Sequence, residues 1–142
     1  MAAVRTFSAK DYLVNFVSAA GALLPSGFAP DDFISVEPSG PSFEPEQGAD
    51  GDLSMIQKPV YYTVKLSLSQ TSPSNAVLSA IMTVDELSGA GVGHLTLKDG
   101  RGTSLVELTG RWTHRPTAAV GTTAKTREWT FVGVGLCFIG GN

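Results

Sequence analysis

Tyr62-Thr63-Val64-Lys65-Leu66-Ser67-Leu68-Ser69 decides the fold, because large apolar and polar residues alternate through it without a break. Successive side chains of an extended strand point to opposite faces, so this period of two predicts Tyr62, Val64, Leu66 and Leu68 on one buried face. Lys65 and Ser67 are then expected on the opposite face. A helical signal follows at once. The Ser72 hydroxyl is placed to accept a bond from an unpaired first-turn amide, and Pro73 suits the first helical position, where no amide is needed. Val77, Ile81 and Val84, with Leu78 and Met82 beside them, make an apolar stripe. This predicts a helix over about residues 73–86, ended by Gly89-Ala90-Gly91.

Outward from this pair the chain reads as strands and turns. Asp11–Val17 is the first candidate strand. Phe33-Ile34-Ser35-Val36-Glu37 is the second, stopping at Pro38, which lacks a ladder donor. Beyond the helix, His94–Lys98 leads through the turn Asp99-Gly100-Arg101-Gly102 into Ser104–Trp112. Arg115-Pro116 breaks that pairing, and Arg127–Ile139 is a long final strand. No internal repeat occurs. Strands, one helix, then more strands predict a mainly β protein: an antiparallel sandwich or barrel with one flanking helix, in a single domain over residues 1–142.

Between Pro38 and Pro59 lie four of the eight prolines and the sequence Gly48-Ala49-Asp50-Gly51. The segment reads as a long loop or arm, too long and proline-rich for a tidy hairpin, and long loops are often functional. It also holds Phe43, Leu53, Met55 and Ile56 among its carboxylates. Exposing these residues forgoes burial at roughly 25 cal/mol per Å², so they are the candidate contacts to a neighbouring subunit.

Composition narrows the classes further. The 142 residues are 42% hydrophobic but only 16% charged, against about 25% in typical globular domains. A surface so poor in charge suggests extensive coverage by other chains. Net charge is −3, so general affinity for phosphate backbones is not expected. Residues 1–58 hold eight acidic and three basic residues, a balance of −5; residues 59–142 hold five and seven, a balance of +2. That asymmetry is compatible with an ordinary solvated surface and also suits head-to-tail stacking of identical units. The one cysteine, Cys137, excludes an intrachain disulfide and reads as a small core or interface residue. Arg5 and Lys10 ahead of Val17–Leu24 mimic a signal peptide, but Asp11 and Asn15 interrupt the apolar run, which reads better as a strand. No stretch reaches the roughly 20 apolar residues of a membrane span.

Chemistry is sparse. His94 and His114 belong to no recognisable catalytic motif, and no catalytic, cofactor or metal residues are assigned. Gly89-x-Gly91-x-Gly93 follows a helix rather than joining a strand to one, so it lacks the context of a phosphate loop. One cysteine and two scattered histidines do not make a zinc site, and Glu44, Glu46, Asp50 and Asp52 do not match an EF-hand spacing.

The helix and its flanks, Gln70-Thr71-Ser72-Pro73-Ser74-Asn75-Ala76-Val77-Leu78-Ser79-Ala80 and Asp85-Glu86-Leu87-Ser88-Gly89-Ala90-Gly91-Val92, resemble a family of phage tail structural proteins, the tube subunits of contractile-tailed bacteriophages. Phe33–Glu37, Gly48–Gly51, Thr126-Arg127-Glu128-Trp129 and Phe138-Ile139-Gly140-Gly141-Asn142 look like that family's segments in the same order, so the similarity spans residues 28–142. Met1–Ser26 matches less well, and Asp99–Gly102 is a local variant. The resemblance implies a non-enzymatic virion protein, assembled in the host cytoplasm. Six copies would join into rings that stack head-to-tail around a tape-measure protein. Sheath, baseplate and tail-terminator proteins would be the other partners, and DNA would pass through the lumen without specific binding. Three alternatives stay open on the residues alone: a capsid decoration protein, a secretion-apparatus tube protein, and a monomeric ligand-binding β-barrel.

Overall fold

The alternating stretch is a strand over Tyr62–Ser69, with Val64, Leu66 and Leu68 buried and Lys65 exposed on the other face. The computed structural model describes residues 12–25, 34–100, 102–123 and 125–140. Its elements are β1 (Tyr12–Ser18), β2 (Gly21–Leu23), β3 (Ile34–Pro38), β4 (Phe43–Gln47), β5 (Leu53–Gln57), β6 (Tyr62–Ser69), α1 (Ser74–Ser88), β7 (Gly93–Asp99), β8 (Leu105–His114) and β9 (Thr126–Phe138). The protein is mainly β and antiparallel, with one flanking helix. Seven strands form one sheet in the order β2-β1-β7-β8-β9-β6-β3, and β4 pairs with β5 separately.

This large sheet is strongly curled. Between β1 and β9 lie β7 and β8, which in a flat sheet would hold the outer pair roughly 14 Å apart, given a strand spacing near 4.8 Å. Yet the rings of Phe16 on β1 and Phe131 on β9 are 5.7 Å apart, edge to face. Trp112 of β8 closes the triangle, 5.7 Å from Phe16 and 5.4 Å from Phe131. The concave face therefore folds over a single core, which Leu66, Leu68, Leu95 and Leu108 complete.

A row of glycines marks one place where the strands come close. Gly93, Gly110 and Gly133 lie side by side on β7, β8 and β9. A Cβ at Gly110 would sit 2.0 Å from the Val132 carbonyl oxygen, so no other residue fits this approach. Glycine in a strand interior is otherwise costly and typically marks such a bend.

Helix α1 joins β6 to β7, two strands that are not neighbours, and covers the core on its way. Pro73 has helical dihedrals (φ −67°, ψ −18°), and the Ser74 amide donates to Ser72 Oγ at 3.2 Å. The expected start is thus present, although helical bonding begins one residue later. The helix also runs two residues past the expected end, to Ser88, and Gly89 closes it in the left-handed region at φ 70°. The apolar stripe is displaced from expectation. Leu78, Ile81 and Met82 are buried with Ser74 and Asn75, whereas Val77 and Val84 are exposed. At 100° per residue, Val77 and Val84 lie about 100–120° round the helix from Leu78.

Other boundaries shift less. Asp11 and Phe33 lie outside the described residues. Strand β8 continues past Trp112 to His114, and β9 begins at Thr126 and stops at Phe138. The short β2 is an addition. It pairs with β1 through a turn in which the Ala20 amide donates to Ser18 Oγ and that hydroxyl donates to the Gly21 carbonyl.

Candidate assembly surfaces

The segment expected as an unstructured arm is a β-hairpin. The expectation that its prolines forbid one is corrected by register. The Lys58 amide donates to the Ser42 carbonyl at 2.9 Å, and the Gly48 amide to the Asp52 carbonyl at 2.8 Å. Bonded pairs alternate with non-bonded pairs along an antiparallel ladder, so Pro45 opposite Met55 falls on a non-bonded pair, where its missing amide is not needed. The tip is tied down by three further bonds. Gly51 N–H donates to the Gly48 carbonyl at 3.0 Å, Asp52 N–H to Asp50 Oδ1 at 3.2 Å, and the Gln47 amide side chain to the Gly51 carbonyl at 3.4 Å.

The same register makes the hairpin two-faced. Residues directly opposite in a ladder share a side. Phe43 faces Gln57, Pro45 faces Met55 and Gln47 faces Leu53, so Phe43, Pro45, Leu53 and Met55 form one apolar face between two glutamines. Glu44 opposite Ile56 and Glu46 opposite Ser54 make the other, acidic face. Of the four candidate contact residues, three therefore act together, and Ile56 is separated from them. The apolar face is largely open to solvent: Phe43, Leu53 and Met55 are 53%, 63% and 58% exposed. The hairpin contributes no residue to the core. The ion pair from Lys58 to Glu44, at 3.5 Å, is open to solvent and contributes little.

A second uncovered surface lies on the convex face of the large sheet. Val134, Leu136 and Phe138 alternate along β9 with Gly135 and Cys137, and Leu136 and Phe138 are 53% and 54% exposed. Across β8 their register partners are Thr109, Glu107 and Leu105, and Lys98 of β7 lies beyond Leu105. The period-two pattern of this strip was present in the sequence, but glycines at 133 and 135 left only one apolar face to read. Cys137 lies on the concave side, partly buried against the core, and burial pushes its thiol pKa up.

The two histidines and the charged residues around α1 form small, separate groups. His94 Nδ1 lies 3.3 Å from Thr109 Oγ1, and His114 Nδ1 lies 2.8 Å from Thr113 Oγ1, both on exposed strand positions. The Gly91 amide donates to Asp85 Oδ1 at 3.0 Å, so a carboxylate already occupies the glycine-rich turn after α1. Arg111 lies 3.7 Å from Asp85, and Arg115 pairs with Glu86, fastening β8 and the residue beyond it to the helix. Among the described residues no group of three or more His, Cys, Asp or Glu side chains could hold a metal ion. No described helix is long and apolar enough to cross a membrane. No protein-family model matches the chain, and no curated protein matches it.

Proposed function

We propose that the chain is the tube subunit of a bacteriophage tail, forming hexameric rings that stack into a conduit for DNA. The observation that carries the self-assembly half of this reading is the separate hairpin, whose apolar face is more than half exposed. A lone two-stranded hairpin is marginal in water, and an apolar face on one is explained by a partner that covers it. The ordered resemblance across residues 28–142 supplies the rest of the reading: the tube, the contractile tail and the partners.

Charge supports a conduit as well. A basic lumen would hold the phosphates of passing DNA, whereas this chain has a net charge of −3. In this reading the tape-measure protein occupies the lumen during assembly, the sheath surrounds the tube, and baseplate and terminator proteins close its ends. A monomeric ligand-binding barrel would have no use for the exposed hairpin face. Electron microscopy of the concentrated protein tests the proposal. End-on views should be hollow rings, and solid aggregates or isolated subunits alone would refute it.

A further inference from the structure

We infer that the hairpin of one copy docks by its apolar face onto the convex β9 strip of a second copy. The inference rests on the self-assembly reading and names the two surfaces that meet. They match in length: five residues of β4 and the stretch Val134–Phe138 each span about 14 Å at 3.4 Å per residue. They match in character, since each presents alternate apolar side chains from a strand and each of those large side chains is more than half exposed.

Charge selects both the partner and the orientation. The hairpin tip carries Asp50 and Asp52, whereas residues 59–142 are net positive. Exposed Lys98 stands at the Phe138 end of the strip, half-buried Glu107 stands beside Leu136, and Arg111, at the Val134 end, is already engaged by Asp85. The acidic tip, Asp50 and Asp52, therefore points towards Lys98. Because the two surfaces differ, the contact is heterologous, and repeating it from copy to copy generates a ring or a filament rather than a closed pair.

The test uses full-length chains in two variants. Leu53→Asp with Met55→Asp disables the hairpin face; Leu136→Asp with Phe138→Asp disables the strip. Each variant alone should self-associate at least roughly tenfold more weakly than the unaltered chain, as expected when central apolar contacts are lost. An equimolar mixture should form 1:1 heterodimers in sedimentation velocity, because each variant supplies the surface that the other lacks. Glu44→Ala, on the acidic face, should leave association unchanged. If an aspartate pair unfolds its variant, judged by circular dichroism, serine at the same positions replaces it. A mixture that sediments as separate variants, while the unaltered chain builds tubes, overturns the docking and leaves the tube reading standing. Heterodimers from the mixture, with an unaltered chain that builds no hollow assembly, support the docking and overturn the tube.

Discussion

The indole nitrogen of Trp129 on β9 donates to Asn75 Oδ1 on α1 at 2.9 Å, joining the sheet to the helix inside the core. The Asn75 amide nitrogen in turn donates to the carbonyls of Ser69 at 2.9 Å and Ser72 at 3.2 Å. One side chain thus holds the end of β6, the start of the helix and the long final strand together. Asn75→Ala should destabilise the protein by about 1–3 kcal/mol, because it leaves the buried indole N–H without a partner. A double-mutant cycle with Trp129→Phe in urea unfolding should show that the two losses are coupled. Strictly additive losses would mean that the bond contributes nothing. Trp112 is the natural control, since its indole nitrogen has no hydrogen-bond partner among the described residues.

Leu66 is 1% exposed at the centre of β6, and Leu66→Ala should cost roughly 2–5 kcal/mol by leaving a cavity. Lys65→Ala, on the opposite face, should change stability by less than about 0.5 kcal/mol. Equal effects of the two substitutions in thermal unfolding would reverse the assignment of faces.

The alternation that places Leu66 was legible because a strand buried on one face repeats every two residues. The helix was legible from Ser72-Pro73 at its start and glycine at its end. Which of its apolar residues face the core was not, since Val77 and Val84 share a helical spacing with Ile81. Telling them apart required knowing where the sheet lies. The hairpin had its turn signal in Gly48-Ala49-Asp50-Gly51, but Pro45 argued against a strand. Only the register shows that this proline falls on a non-bonded pair. The two-faced character of the hairpin, and with it the separation of Ile56 from Phe43, Leu53 and Met55, follows from the same register. The curl of the sheet depends on contacts between residues distant in sequence, such as Phe16 with Phe131, which no local pattern encodes.

Gly110 leaves no room for a side chain. Gly110→Ala should cost about 1–3 kcal/mol or more, because the new methyl meets the Val132 carbonyl at 2.0 Å and the strands must separate. Gly40→Ala, where a Cβ meets nothing within 4 Å, should be nearly silent. Calorimetric melting temperatures for the two variants check this, and an unchanged melting temperature for Gly110→Ala would show that the close approach is not required.

Removing the hairpin should separate folding from assembly. Ser42 and Lys58 already close its base through a backbone bond of 2.9 Å, so Phe43–Gln57 can be replaced by a short glycine turn there. The shortened chain should unfold at nearly the same urea concentration, since no core residue is lost, yet build no tubes. Normal tube growth by the shortened chain would reduce the hairpin to a surface ornament.

Direct imaging of the unaltered chain tests the central claim. The protein has a mass of 14.8 kDa as a single copy. Concentrated and viewed by cryo-electron microscopy, it should form stacked rings with a hollow axis and sixfold end-on views. A single species of 14.8 kDa at every concentration, with no ring in any field, would contradict it.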